Sequence, residues 1–173
     1  MPAWLGFAAT LLAFGLLCAC GHEEVRKPPS RAAQVSHRDW PQVRPADPAA
    51  ANAVLMRAIS LVGTPYRYGG NTPAGGFDCS GLVNYVFRDM LDLRLPRTSR
   101  ELPAYQGPRL PPDRLAPADL VFFGSGGSVS HVGIYVGEGR FVHAPSTGGT
   151  VRLDYLDGAY WRDHYSGAKR VLH

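Results

Sequence analysis

The chain has 173 residues, a formal net charge of +4 and a sequence pI of about 9.1. This length is enough for one domain of ordinary size with a buried core. The positive charge is mild, and no run of basic residues is interleaved with aromatic ones, so the composition argues against a nucleic-acid partner. Of the three cysteines, Cys18 and Cys20 lie near the N-terminus and Cys79 stands alone. The cysteine spacing therefore excludes a disulfide within the domain and a zinc site of the CxxC type.

The first residues have the features of an export signal. The apolar run from Leu5 to Leu17 is too short for a comfortable membrane span. It ends in Leu17-Cys18-Ala19-Cys20, which resembles the bacterial lipobox. The resemblance implies a signal peptide over residues 1–19, cleavage before Cys20 and lipidation of that cysteine.

The residue after the lipobox cysteine is Gly21. This resembles the default sorting signal of Gram-negative lipoproteins, so the expected location is the outer membrane, facing the periplasm. The segment Met1–Gly6 contains no Lys or Arg. An uncleaved signal anchor is therefore the alternative, and the start codon is open to question.

Residues 20–48 are predicted to be the lipidated N-terminus followed by a flexible tether. They are poor in apolar residues and rich in proline: Pro28, Pro29, Pro41, Pro45 and Pro48. Such a composition cannot bury enough surface to fold, so a partly extended spacer is expected. Trp40 and Val43 are candidates for docking on the domain, which is expected over residues 49–173.

The first half of the domain has the periodicity of helices. One helix is predicted to begin at Asp47-Pro48, a capping residue followed by a proline suited to the first turn, and to stop at Gly63. A second is predicted after the glycine-rich loop 69–76, because apolar residues recur there at spacings of three and four. A capping box from Thr98 to Glu101 predicts a further short helix.

From Asp119 onwards the periodicity is that of strands. Strands are predicted over residues 119–123, 131–136, 140–144, 150–153 and 168–172, with a turn or short helix over 161–165. Gly137-Glu138-Gly139 between the second and third strands is a hairpin signal. Helices followed by a meander of strands predict an α+β fold, with N-terminal helices packed on a central antiparallel sheet.

Cys79 is predicted to lie in the first turn of the second helix. Free N–H groups and the positive end of the helix dipole converge there. Such an environment lowers the pKa of a thiol and favours the nucleophilic thiolate. The alternative is a small buried hydrophobic residue, which is what most free cysteines are.

The hairpin is predicted to place His131 and His143 on one face. A three-residue loop that ends in a left-handed Gly139 pairs Val136 with Arg140, and therefore Gly133 with His143. The two histidines then share a face, whereas a two-residue loop would put them on opposite faces. The other face is uniformly apolar and suited to a core: Val132, Ile134, Val136, Val142 and Ala144. Gly133 leaves room between the histidines for Cys79 to approach.

A thiol and two histidines suit nucleophilic acyl transfer. The predicted catalytic residues are Cys79 as nucleophile, His131 as general base and His143 as the group that fixes the base's tautomer. The backbone N–H groups at the helix start, including that of Cys79, form a candidate oxyanion site. A Cys-His-His metal site is the rival interpretation; the acyl-transfer hypothesis requires no metal and no cofactor.

Six blocks of the sequence resemble, in order, the NlpC-type cell-wall cysteine peptidases, and together they cover residues 52–173. The blocks are Pro65-Tyr66-Arg67-Tyr68-Gly69-Gly70, Asp78-Cys79-Ser80-Gly81-Leu82-Val83, Leu95-Pro96-Arg97-Thr98-Ser99, Asp119-Leu120-Val121-Phe122-Phe123, Ser130-His131-Val132-Gly133-Ile134-Tyr135 and Phe141-Val142-His143-Ala144. The resemblance implies a papain-like fold, cleavage of peptidoglycan stem peptides, and a Cys-His-polar triad that falls on Cys79, His131 and His143. It also implies that Tyr66, Asp78 and Ser80 contact substrate, although Asp78 could equally be the cap of its own helix.

The lipobox, tether and single catalytic domain resemble the murein endopeptidase lipoproteins. The bond between D-Glu and diaminopimelate and the crosslink between D-Ala and diaminopimelate are both plausible targets. An amidase or acyltransferase on the same scaffold is a second hypothesis, because a fold does not fix the reaction. A non-catalytic wall-binding lipoprotein is a third, and the intact thiol and imidazoles argue against it.

Overall fold

The structure, a computed structural model, describes residues 1, 38–146 and 148–173. The predicted signal peptide after Met1, the lipobox with Cys20 and most of the predicted tether lie outside the described residues. The leader, the lipid anchor and the location therefore stay predictions. Among the residues that are described, no helix is both long and apolar enough to cross a membrane.

The last ten residues of the predicted tether before the first helix, 38–47, are described, and Trp40 among them packs on the domain. Its ring lies so close to Gly139 that a Cβ at that glycine would come within 2.1 Å of the indole Nε1. The guanidinium of Arg38 lies 3.9 Å above the centre of the same ring, and the N–H of Arg38 donates to Asp157 at 3.1 Å. Trp40 therefore belongs to the packed structure, a docking that the composition of the tether had not favoured.

The predicted helices of the first half are present. Helix α1 spans Pro48–Ser60, and the carboxylate of Asp47 accepts hydrogen bonds from the N–H groups of Ala49 and Ala50. Helix α2 spans Cys79–Leu91 and has Asp78 as its N-cap. The predicted helix after Thr98 is only a one-turn 3₁₀ helix, Leu102–Ala104, because Pro103 and Gly107 interrupt a longer one.

The strands of the described residues form two antiparallel sheets. Strands β1 (Asn71–Thr72) and β2 (Gly76–Phe77) pair within the glycine-rich loop. The main sheet has the order β3-β8-β4-β5-β6-β7. Its members are β3 (Arg109–Leu110), β4 (Leu120–Ser125), β5 (Ser128–Gly137), β6 (Arg140–His143), β7 (Arg152–Tyr155) and β8 (Tyr165–Lys169). A short helix α3 (Ala159–His164) precedes β8, and a second 3₁₀ turn spans Pro112–Arg114. The α+β prediction with helices packed on an antiparallel sheet is confirmed.

The two faces of the main sheet carry separate cores. On the helix face, the apolar residues predicted from the hairpin pack against α1 and α2: Val132, Ile134, Val142 and Ala144, all 0% exposed. The opposite face is the one that was predicted to carry His131 and His143. It also carries a second core: Leu115, Val121, Phe123, Tyr135, Phe141, Leu156 and Ala168, with Trp40, Leu110, Trp161 and Tyr165 packed against it.

The tip of the β5–β6 hairpin differs from the prediction. Gly137 pairs with Arg140 across a two-residue turn, and both turn residues have positive φ, 53° at Glu138 and 72° at Gly139. A bulge between Tyr135 and Gly137 then adds one residue to β5. Because the bulge compensates for the shorter turn, Tyr135 still faces Phe141 and the predicted register holds in the body of the hairpin.

The end of the chain forms its strands two to three residues away from the predicted positions. Strand β7 starts at Arg152 rather than Thr150, since Thr150 instead bridges to Pro65 beside the glycine-rich loop. Strand β8 starts at Tyr165, directly after α3, and ends at Lys169 rather than Leu172. Arg170 leaves the sheet because its guanidinium pairs with Asp119 at 2.8 Å.

Candidate active site

Cys79 is the first residue of α2, as predicted. The Asp78 carboxylate caps the helix by accepting from the N–H of Gly81 at 2.6 Å. A Cβ at Gly81 would come within 2.0 Å of the carbonyl oxygen of Gly70, so only glycine lets the glycine-rich loop lie against the first helical turn. The loop and the cap together fix the direction of the half-buried thiol.

The thiol reaches β5 at the point where its neighbour β6 stops. Tyr135 exchanges backbone hydrogen bonds with Ala118 and Asp119 on the β4 side. By the alternation of a strand, the N–H of Val132 points the other way, towards β6. Strand β6 ends at His143, and the N–H of Val132 lies close enough to the Cys79 sulfur to lower the pKa of the thiol as a hydrogen-bond donor. The thiol thus lies at the residue next to His131.

The pKa of the Cys79 thiol is raised, whereas the sequence predicted that it would be lowered. Burial is the largest cause, and the negative charge of Asp78 acts in the same direction. The N–H groups of Val132, Ser80 and Cys79 favour the thiolate but are outweighed. The helix N-terminus is present, but the sulfur is too well shielded from water for it to decide the ionisation. The resting nucleophile is therefore a neutral thiol.

The two histidines lie in direct contact on the far face of the sheet. His131 Nε2 lies 2.9 Å from His143 Nδ1. His143 is fully buried, and its Nε2 lies 3.0 Å from Asp154 Oδ2 on β7. Asp154 was not predicted from the sequence, and it extends the pair of histidines to a chain of three groups.

The hydrogen-bond chain fixes both tautomers. An ionised Asp154 can only accept, so Nε2 of His143 must carry the proton and Nδ1 of that ring must be an acceptor. Nε2 of His131 is then the donor to His143, which leaves the lone pair of His131 Nδ1 unprotonated. The resting base is therefore ready to accept a proton at Nδ1.

The pKa shifts support this distribution of protons. Burial is the largest of the causes that lower the pKa of His131 to about 3; the charge of His143 acts in the same direction and that of Asp154 in the opposite one. Burial also lowers the pKa of His143. Burial raises the pKa of Asp154, but hydrogen bonds from His143, Trp161 and Arg152 outweigh it and bring the value to about 2. At neutral pH both imidazoles are neutral and Asp154 is ionised.

Trp161 on α3 is the second residue that sequence reasoning missed. Its ring stacks on His131 with centroids 5.2 Å apart and meets His143 edge-on at 4.7 Å. Its indole Nε1 donates to Asp154 Oδ2 at 2.8 Å. The signal available in the sequence was weak: one carboxylate on a strand and one tryptophan on a short helix, each compatible with ordinary surface or core positions.

The space beside Gly133 is filled by an aromatic ring, and the thiol does not approach there. A Cβ at Gly133 would come within 2.6 Å of Phe141 Cδ2. The ring of Phe141 packs in turn against His143, with centroids 4.7 Å apart. Gly133 therefore lets Phe141 support the histidine, and the expectation that it makes room for Cys79 is wrong.

Tyr66 lies beside the thiol, next in space to the strand that leads into α2. It forms a parallel bridge with Phe77, and its N–H donates to Gly149 at 2.8 Å. Burial raises the pKa of the Tyr66 hydroxyl, and the negative charges of Cys79 and Asp78 raise it further. The predicted substrate residue and the thiol therefore share one electrostatic environment.

Asp78 and Ser80 are engaged in a network with Arg97. Arg97 donates to both carboxylate oxygens of Asp78, at 3.1 and 2.8 Å, and to Ser80 Oγ at 2.9 Å. The N–H of Gly69 donates to the same carboxylate at 3.0 Å. Burial raises the pKa of Asp78, but the hydrogen bonds from Arg97 and Gly81 outweigh it and the pKa is lowered. The substrate role of Asp78 and Ser80 stays a prediction, beside this evident role in holding the loop.

The histidine geometry does not match the rival metal interpretation. The ring nitrogens of His131 and His143 that lie nearest each other are hydrogen bonded rather than converging on a common point. Within the part of the chain that the structure describes, no group of three or more His, Cys, Asp or Glu residues could hold a metal ion.

Comparison with known proteins gives a consistent set of relatives. The sequence model described as the NlpC/P60 family matches residues 63–170. The chain is 41% identical over 127 residues to "Murein DD-endopeptidase MepH" of Escherichia coli K12, over 71% of this chain and 46% of that protein. It is 39% identical over 168 residues to "Probable endopeptidase NlpC" of the same organism, over 95% of this chain and 99% of that protein. The chain thus spans less than half of the first relative and nearly all of the second.

A solved structure matches at the level of the fold. The NlpC/p60 domain of the peptidoglycan hydrolase SagA aligns with a TM-score of 0.62 and 29% sequence identity, over 70% of this chain and 98% of that one. The helices, the antiparallel sheet and their order are therefore those of this group of papain-like domains, as the sequence predicted.

Proposed function

The chain belongs to the NlpC/P60 family, and we propose that it is a peptidoglycan endopeptidase that uses Cys79 as its nucleophile. The observation that carries the proposal is the chain of hydrogen bonds from Asp154 through His143 to His131. This chain leaves Nδ1 of His131 unprotonated, and the neighbouring residue, Val132, has the N–H that lies against the Cys79 sulfur. Packing alone does not require the histidines to have a fixed tautomer, whereas a general base does. The pair also lies beside Cys79, the only free thiol of the described residues.

The reaction begins with proton transfer from the thiol to Nδ1 of His131. As the proton leaves, the sulfur attacks the carbonyl carbon of the scissile amide and forms a tetrahedral intermediate. Backbone N–H groups at the start of α2 are placed to stabilise its oxyanion. His131 then gives the proton to the leaving amine, and water hydrolyses the thioester by the same base. Because burial raises the pKa of the thiol, the attack depends on transfer of its proton to His131.

His143 and Asp154 act on the base rather than on the substrate. When His131 becomes positively charged, the His143 ring still accepts its Nε2 proton, and the negative charge of Asp154 stabilises the new charge through that ring. Asp154 is thus the fourth member of the proposed catalytic unit, and His143 is its connection to the base.

We further propose the D-Ala to diaminopimelate crosslink as the bond that is cut, since MepH is named a murein DD-endopeptidase. The bond between D-Glu and diaminopimelate within one stem is the other outcome of the same test. The proposed location is the periplasmic face of the outer membrane, through a lipid on Cys20. It rests on the sequence Leu17-Cys18-Ala19-Cys20 and is checked by the intact mass of the protein purified from its membrane.

The deciding experiment is digestion of purified sacculi, with mass analysis of the released fragments. Loss of crosslinked dimers with gain of monomers identifies the crosslink, whereas shortened stems identify the D-Glu bond. The Cys79→Ala protein is the matched control. If sacculi are bound but no fragment is released, the alternative of a non-catalytic wall-binding protein is correct. Release of intact stem peptides from the glycan strands, or transfer of an acyl group, would instead indicate the amidase or acyltransferase.

A further inference from the structure

A groove of about 960 Å³ opens on the helix face of the sheet, outside the residues assigned to catalysis. We call it the basic groove. Its walls are Arg100 and Pro103, which follow α2, the β4–β5 turn Gly124–Ser128, and the paired ends of β3 and β8, Arg109 and Lys169.

The basic groove lies near the strand that contacts the thiol. Phe122 lines the groove, and it is the direct cross-strand partner of Val132. The N–H of Val132 is the group that contacts the Cys79 sulfur. Neighbouring strands lie about 4.8 Å apart, and the N–H of Val132 points away from β4, so the thiol lies about two strand spacings, roughly 10 Å, from Phe122. An extended peptide gains about 3.3 Å per residue, so a stem peptide bound at the thiol is long enough to reach this groove with one end.

Two cations face each other in the groove without an anion between them. Arg109 and Lys169 are directly opposite in the antiparallel β3–β8 pair, so their side chains share a face. Like charges in this position are destabilising. Among the described residues, neither side chain forms an ion pair, and Asp163, an acid in the groove wall, is paired with Arg162 at 3.1 Å.

Lys169 is the unusual member of this pair because it is buried. Only 6% of the residue is exposed, and its ammonium donates one hydrogen bond, to the carbonyl oxygen of Pro103 at 3.1 Å. An ammonium has three donors, and a buried charge is costly unless it is paired. Two donors of Lys169 are thus available to an acceptor in the groove.

We propose that the basic groove binds a free carboxylate of the peptide substrate at Lys169, with Arg109 as a second, more exposed cation. The proposal rests on the proposed function for the substrate class. Stem peptides built from D-Glu and diaminopimelate suit it, because their unusual linkages leave carboxylates free along the peptide as well as at its end. A carboxylate there would take the remaining donors of Lys169 and relieve the repulsion from Arg109.

The test measures peptide binding by calorimetry to the Cys79→Ala protein, so that no turnover is needed. Four peptides of one stem sequence are compared: the full acid and three forms that are each amidated at a single carboxyl, namely the C-terminus, the internal diaminopimelate carboxyl or the α-carboxyl of D-Glu. One amidated peptide should bind about 10-fold to 100-fold more weakly than the acid, the range for a hydrogen bond to a charged group. The one that weakens identifies which carboxylate is bound.

Lys169→Met in the same background should weaken binding of the acid peptide by the same factor. It should leave unchanged the binding of the amidated peptide that the Cys79→Ala protein binds more weakly. Arg109→Gln, at an exposed site that does not endanger folding, should weaken the acid peptide about twofold to fivefold. Arg94→Gln, an exposed arginine outside the groove, is the charge-matched control and should have no effect.

Equal binding of all four peptides, absence of binding, or a Lys169→Met protein that keeps the preference for the acid would each overturn the proposal. The Arg109→Gln result stands even if Lys169→Met does not fold. Digestion of sacculi by the wild-type protein separates the two hypotheses. Digestion without any preference for the acid removes only the carboxylate site, and acid-specific binding without digestion removes only the hydrolase.

Discussion

The two faces of the central sheet support the two halves of the proposed active site by different means. On the helix face, Cys79 is held by its neighbours in the chain, the cap Asp78 and the glycine-rich loop that lies against Gly81. On the far face, His131 is held by His143, Asp154 and Trp161, which come from three separate elements.

The difference determines how each half tolerates change. The nucleophile has no substitute, since its position is fixed locally and its chemistry belongs to one sulfur. The base depends on a network in which each member acts through the next. We therefore expect substitution of Cys79 on the helix face to abolish activity and substitutions on the far face to reduce it by different amounts. Each loss on the far face should be smaller the further the residue lies from His131 along the hydrogen-bond chain.

The largest effect should come from Cys79→Ala. The variant should fold, with an unchanged thermal unfolding midpoint, and lose activity on sacculi by about 10⁴-fold or more, because it removes the nucleophile. Iodoacetamide should inactivate the wild-type protein with one adduct per chain, at Cys79 in the mature domain. A variant that digests sacculi at the wild-type rate would refute the nucleophile.

His131→Ala should follow, with a loss of about 10³-fold or more in kcat, because it removes the general base. His143→Ala should cost less, since a misoriented base keeps some function. His143→Asn or His143→Gln should recover part of that loss by restoring a hydrogen-bond partner. The measurement is kcat/KM on a stem-peptide fragment. Wild-type activity in His143→Ala would reduce the unit to a dyad, and a fully inactive His143→Asn would show that protonation of His143 matters.

Asp154→Asn should lower kcat about 100-fold and leave KM nearly unchanged, because the residue stabilises the charged base without touching substrate. The amide of Asp154→Asn carries no charge, which explains the loss, but its oxygen can still accept a hydrogen bond from His143. Asp154→Ala removes that acceptor as well and should therefore lower kcat further. Asp113→Asn, an exposed acid on the turn Pro112–Arg114, is the matched control. An increase in KM at constant kcat would instead place Asp154 in substrate binding.

The smallest effect should be on stability at acidic pH. The folded pKa of His131, about 3, lies below its unfolded value of about 6.5, so the unfolded chain binds more protons between those limits. Stability should therefore fall as the pH drops through this window, by about 2 kcal/mol between pH 6.5 and 5. Asp154 acts in the same direction at lower pH, between about 3.8 and 2.

Denaturant unfolding at a series of pH values measures this slope, and His131→Asn should reduce it, leaving the part due to His143, whose pKa is also lowered by burial. An unchanged slope in that variant would mean that the folded protein accommodates a charged His131, contrary to the burial seen on the far face. Asp78 gives the comparison with the helix face. Because the pKa of Asp78 is lowered, the stability it contributes to the wild-type protein should be lost only as the pH falls below the normal carboxylate range. The Asp78→Asn protein should not show this loss.

The sequence by itself determined the features that depend on neighbouring residues. Asp47 and Asp78 are caps because a short polar side chain before a helical pattern can reach the free N–H groups of the first turn. The register that puts His131 and His143 on one face follows from strand alternation, although the tip reaches it by a two-residue turn and a bulge. The six blocks of family resemblance extended these local patterns to the fold.

Only the tertiary structure decided the features that depend on burial and on distant segments. Asp154 and Trp161 come from β7 and α3, and no spacing in the chain connects them to the histidines. The pKa of Cys79 rises although its helix position argued for the reverse, because desolvation by the surrounding fold outweighs three backbone N–H groups. Local sequence can place a charged or polar group, but the water excluded from around it, and the partners that replace that water, are set by the whole fold.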